Sequence, residues 1–209
     1  MIMAENEEAK KEEKQEERKP EAKRPGAARL LKGKNWFTIT APALFNQKVL
    51  GEALAADPAT IPGRIVSASL LELTGDPSRY YMRLFFKVKS FDGAAARTDY
   101  IGHETTRDFL ARTVQLRTTR IDTNEVFQFK DGRMRVKTVA ITNRHVTEDV
   151  EKTIRSRIGK LLAAATGESS MDQFIESFMK GELQQSIHAS INKLYPLRIF
   201  EIVKTRVLV

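Results

Sequence analysis

The string GHETTRD, Gly102 to Asp108, holds the residues best suited to chemistry. His103 followed by Asp108 could supply a general base and the carboxylate that orients it. A zinc-protease helix would need a second histidine four residues after the first, and that position is Arg107. His145 and His188 are isolated in the chain. Cysteine is absent, which removes disulfides, thiolate metal sites and cysteine nucleophiles together. Carboxylates for metal-dependent nuclease chemistry could be drawn from Asp99, Glu104, Asp108, Asp122 and Glu125, but nothing in their spacing gathers them, and caps or partners for neighbouring arginines explain them as well. Neither GxGxxG nor a GxxxxGK phosphate loop occurs. Threonine and acid in such a string cap a helix more often than they catalyse, so the reading is no enzyme, no metal and no cofactor.

The cations are better organised. The formal net charge is +8, and residues 1–25 hold seven Lys/Arg against eight Asp/Glu, which leaves 28 against 19, a net +9, for the rest. A balance of this kind suits a polyanion, because each neutralised phosphate releases counterions. Period two along RYYMRLFFKVKS puts Arg83, Lys87 and Lys89 on one strand face with Tyr81 and Phe85, opposite Tyr80, Met82, Leu84, Phe86 and Val88. Arg133, Arg135 and Lys137 alternate in the same way with Met134 and Val136, and Arg198, Lys204 and Arg206 interleave the last segment. Basic and aromatic groups on one face suit RNA. A merely solvated antiparallel face has the same pattern, so residues alone leave both readings open.

These residues need elements to hold them. Met1 to Pro25 is charged and almost free of large apolar residues, and is expected to be a disordered tail; residues 26–209 are expected to form a single α+β RNA-binding domain. The basic connector AARLLKGKNW, with Arg29, Lys32 and Lys34, leads into Trp36, Phe37 and Ile39. Gly63 to Thr74 and Arg79 to Ser90 read as a hairpin about Gly75-Asp76-Pro77, and a second hairpin turns at Asp131-Gly132. Leu197 to Val209 reads as a closing strand. Thr105-Thr106-Arg107-Asp108 predicts a short capped helix through Phe109, Leu110 and Val114, with Arg107, Arg112 and Arg117 on or just after it. A firm amphipathic helix starts at Thr147 and runs through Val150, Ile154, Ile158, Leu161 and Leu162, and two more run to Gly181 and up to Pro196. No run of about 18 apolar residues and no apolar leader is present, so a soluble, cytoplasmic chain with no membrane partner is expected.

Four segments resemble the S-three-A (eS-one) family of small-subunit ribosomal proteins. They are KNWFTITAPALFN with Lys34, Trp36, Phe37, Ala41, Pro42 and Phe45; Gly102, Thr106, Arg107 and Asp108 in YIGHETTRD; KDGRMRV; and Tyr195, Pro196, Leu197, Lys204 and Leu208 at the end. Gly51 and Gly63-Arg64 also fall where that family has glycines. The chain stops soon after the last strand, which points to the archaeal branch. The resemblance implies an antiparallel β-barrel-like core with attached helices and no chemistry. It also implies a structural place in the ribonucleoprotein platform near the messenger RNA exit, bound to small-subunit ribosomal RNA beside neighbouring platform proteins and in reach of the messenger itself. It singles out Lys34, Trp36, Arg64, Arg107 and Lys204. A free RNA-processing enzyme or a regulatory RNA-binding protein is the alternative. Because strand faces bind only where the sheet leaves them open, Lys32, Lys34, Arg64 and Arg107 are expected to matter more than the strand cations.

Overall fold

The computed structural model describes residues 33–93, 95–167 and 169–208; the expected tail and most of the basic connector, including Lys32, lie outside them. From Asn35 the chain forms one compact α+β unit. Eight strands make a single sheet: β1 Asn35–Thr40, β2 Val49–Ala55, β3 Ile65–Ser69, β4 Met82–Phe91, β5 Ala95–Thr105, β6 Arg120–Phe129, β7 Gly132–Thr142 and β8 Leu197–Leu208. Among the described residues five α-helices accompany it: α1 Leu70–Thr74, α2 Arg107–Thr113, α3 Glu148–Gly167, α4 Met171–Lys180 and α5 Glu182–Asn192.

The sheet forks at β5. One edge of β5 pairs with β4 along most of its length, and β4 pairs in turn with β3. The other edge is shared: β1 runs parallel to residues 95–97, while β8 runs antiparallel to residues 102–104. From β1 the sheet continues to β2, and from β8 through β7 to β6, so among the described residues β2, β3 and β6 are ends that do not meet. The expected barrel-like closure is therefore not formed. A strand edge divided between two partners sends the sheet in two directions, and helices rather than further strands cover its core face.

That face is apolar at period two. Met82, Leu84 and Phe86 of β4, Ile121, Phe127 and Phe129 of β6, Met134, Val136 and Ala140 of β7, and Leu197, Phe200 and Ile202 of β8 are buried against α3, α4 and α5. The helices answer with Ile154, Ile158 and Leu162, then Phe174, Ile175 and Phe178, then Ile187 and Ile191, at the three- and four-residue spacings of an amphipathic stripe. Glu148, Asp149 and Glu151 occupy the first turn of α3, where the helix dipole favours anions.

Several boundaries differ from the sequence expectation. GRIVSASLLELT is not one strand: Ser69 and Glu72 form a reciprocal capping box, and Leu70–Thr74 turns helical before a 3-10 turn at Pro77–Arg79. β3 and β4 still pair antiparallel, but through this longer link. In the second hairpin Phe129 pairs with Gly132, so the turn is Lys130-Asp131 and Gly132 opens β7. The Thr105-to-Asp108 capping box does not form. Thr105 is the last residue of β5, and Thr106 caps α2 by position without a side-chain bond.

Candidate nucleic-acid interface

Because side chains alternate along a strand, the register between strands decides which cations become neighbours. Across the face opposite the core, Phe85 of β4 lies beside Gly102 of β5, Gly102 beside Arg206 of β8, Arg206 beside Arg135 of β7, and Arg135 beside Val126 of β6. The next row is Arg83, Glu104, Lys204, Lys137 and Asn124. Arg133 follows in β7, opposite Leu208. Neighbouring strands are about 4.8 Å apart, so these rows set a cation roughly every 5–10 Å across the sheet. Arg83, Arg133, Arg135, Lys204 and Arg206 are exposed and Lys137 is half-buried. The one carboxylate within the two rows is Glu104, whose Oε2 lies 3.1 Å from the Lys204 ammonium.

The remainder of this face is closed by α2. Leu110 packs on Val139, Ile141 and Val203, a small apolar cluster separate from the main core. A bulge between Lys137 and Thr138 leaves Val203 outside the register, which turns β8 from the apolar half to the basic half. Phe109 stacks on Tyr81 with ring centroids 3.8 Å apart. Arg107, at the first turn of α2, lines a hollow of about 300 Å³ with Arg83, Phe85, Glu104, Thr105 and Thr106. The sequence set Arg83 and Arg107 in rival groups, and the fold puts both on one hollow.

Gly102 is what lets β8 approach β5. A Cβ there would overlap the Thr205 carbonyl, so no other residue fits without moving a strand. His103 beside it is a buried core residue. Its Nε2–H donates to the Ile202 carbonyl at 2.9 Å, which leaves Nδ1 to accept from the Thr205 hydroxyl at 2.7 Å. The Tyr100 hydroxyl therefore donates to Thr205 Oγ1, at 2.8 Å. Burial pushes the His103 pKa down to about 4, and the ring is neutral at pH 7. With both ring nitrogens engaged by β8, the His103–Asp108 pairing considered from sequence is not made. Asp99 instead pairs with Lys89 at 3.1 Å and Asp122 with Arg120 at 3.0 Å. Glu125 lies against Gly159 of α3. Among the described residues no three His, Asp or Glu side chains gather as metal ligands.

Other sequence candidates lie apart from the two rows. Arg64 gives Nε–H to the Thr60 carbonyl and an Nη1 proton to the Leu54 carbonyl, each at 3.1 Å, so two of its donors brace the turn after β2. Trp36 is 63% exposed on β1, beside Leu54 of β2. Lys34 is exposed just before β1, and Lys87 and Lys89 continue along β4 beside Asp99. Arg112 and Arg117 are exposed at and after the end of α2. Two features were missed. Ile65, 64% exposed on β3 opposite Lys87, borders the basic face, and its alternation looked like ordinary core patterning. A separate groove of about 590 Å³ runs along α3, lined by Lys152, Arg157 and Lys160. Lysines at i and i+8 on a helix were legible, but the apolar stripe drew the reading.

Comparison with known proteins bears on this geometry as a whole. The model of the Ribosomal S3Ae family matches residues 27–209. The protein named small ribosomal subunit protein eS1 of Methanobrevibacter smithii is 36% identical over 178 residues, covering 85% of this chain and 92% of that one. Its namesakes in Methanothermobacter thermautotrophicus and Sulfurisphaera tokodaii are 34% and 35% identical over the same length, covering 91% and 92% of those proteins. All three organisms are archaea. Since the matched span takes in the whole forked sheet, its five helices and both rows of cations, this chain belongs to the Ribosomal S3Ae family.

Proposed function

We propose that this chain is a structural constituent of the small ribosomal subunit, cytoplasmic with the ribosome, and that it binds ribosomal RNA through the open face of its sheet. The observation that carries the reading is the cross-strand alignment of Arg83, Lys204, Lys137, Arg206 and Arg135 around one paired carboxylate. A row of cations on a rigid sheet contacts phosphates without reading sequence, which is what a scaffold protein needs of a fixed RNA fold. The names of the archaeal relatives support the ribosomal setting. Within it, the platform near the messenger RNA exit, with neighbouring platform proteins and the emerging messenger as partners, is the position we assign. The strand cations rank above Arg64 in this reading, because the sheet leaves them open while Arg64 spends two donors on the backbone.

The test is co-sedimentation. In a high-magnesium lysate the tagged chain should travel with small subunits, and R135Q/K137Q/R206Q should shift it toward the top of the gradient. In direct titration against a 3′-region small-subunit RNA fragment, the same triple should flatten the salt slope by up to about three units, one per lost phosphate contact. EDTA should act only through RNA folding. A wild-type chain found free of subunits would instead favour a processing enzyme or a regulatory RNA-binding protein, separated from each other by turnover of the bound RNA.

A further inference from the structure

The hollow shared by Arg83 and Arg107 has a neighbour. A second hollow of about 200 Å³ is lined by Ile65, Phe85, Gly102, Glu104, Lys204 and Arg206. Phe85 and Glu104 line both, so the Phe85 ring stands as a wall between two open spaces on the basic face. Each side has its own cations: Arg83 and Arg107 on one, Lys204 and Arg206 on the other. Gly102, directly across from Phe85, has no side chain to fill the space, and the exposed Ile65 adds apolar surface at the rim. The Glu104 carboxylate offers an acceptor to both hollows, held by the Lys204 ammonium.

A half-buried phenylalanine amid arginines and lysines has little reason to face water, whereas every nucleobase has a π-face to lay against it. Duplex RNA keeps its bases stacked inside and cannot offer one; an unpaired strand can splay them out. We infer that the Phe85 wall is a stacking site for unpaired RNA, one base entering the hollow on each side of the ring while Arg83, Arg107, Lys204 and Arg206 take the flanking phosphates. Glu104 accepts hydrogen bonds from ring or exocyclic N–H groups of the seated bases. This inference rests on the RNA reading above and narrows it from RNA in general to single-stranded segments.

The experiment uses the full chain with two fluorescent probes, a decauridine strand and a blunt RNA duplex of equal length, titrated by anisotropy across a salt series. F85L keeps apolar bulk and removes the aromatic face; F85W restores one. Stacking of one base on each side of the ring predicts about a hundredfold loss of decauridine affinity in F85L, roughly tenfold per base, with an unchanged salt slope, unchanged duplex affinity and recovery in F85W. Equal decauridine affinity in F85L and wild type, or an equal loss on strand and duplex, overturns the stacking site while leaving the basic face intact. Wild-type binding that is absent or indifferent to salt on both probes overturns the RNA reading itself, and the stacking site with it. Matching circular dichroism and thermal midpoints of the variants show that the affinities refer to folded protein.

Discussion

Replacing Glu201 with glutamine should change the pH dependence of stability and, above about pH 7, raise stability itself. Glu201 sits on β8, 7% exposed, with the Tyr81 hydroxyl donating to its Oε1 at 3.2 Å. Burial raises its pKa to about 7 despite the opposing influence of Tyr81, Arg79 and Gln184. Gln184 donates through Nε2 to the Phe178 carbonyl at 3.1 Å, and its own Oε1 is buried without a partner. The folded pKa lies above the ordinary glutamate value of 4.5, so the folded state binds the extra proton between those values. The stability contributed is full below about pH 4.5 and is lost as pH rises to about 7, in total roughly 3 kcal/mol at about 1.4 kcal/mol per unit. His103 has the opposite sign: its pKa falls from 6.5 to about 4, so its contribution is full above 6.5 and is lost on acidification. In the wild type the two slopes offset each other across the overlapping window, and stability there should be nearly flat. E201Q retains an acceptor for Tyr81 but leaves His103 unopposed. Its stability should fall by about 1.4 kcal/mol for each unit below 6.5, and above pH 7 it should exceed wild type by up to roughly 3 kcal/mol. Urea unfolding followed by circular dichroism from about pH 5 to about pH 8 measures both curves. Parallel curves for E201Q and wild type would show that Glu201 is charged in the folded protein and refute the reasoning.

Gly102→Ala should destabilise the fold by on the order of 2–4 kcal/mol, because the new methyl meets the Thr205 backbone rather than a side chain that can turn away; an unchanged thermal midpoint would mean β8 is not held where it lies. Removing residues 1–25 should leave the midpoint of the free protein almost unchanged, since that segment has almost no large apolar side chains to pack, and a drop of many degrees would move the domain boundary.

Much of the architecture is local enough to read along the chain. The alternation in β4 and β7 sorted Met82, Leu84, Phe86, Met134 and Val136 from the cations between them, and the helical stripes of α3 to α5 carried their own period. The central strand was not legible. β5 buries Ala96, Thr98, His103 and Thr105, small or polar residues, and Thr98 and His103 find their partners in the Thr40 carbonyl and the Thr205 hydroxyl of distant strands. Without β5 the fork cannot be seen, and the barrel-like core came from the family resemblance rather than from the strands themselves.

The same limit applied to the interface. Period two told which residues of one strand share a face, but said nothing about which strand comes next to it. That Arg135 meets Arg206, that Lys137 meets Lys204, and that Phe85 faces a glycine between two hollows all follow from pairings between residues on different strands, far apart in the chain. Strand register is chosen by the burial of an entire face at once, so a single strand's sequence can specify its own two sides and still leave its neighbours to the tertiary fold.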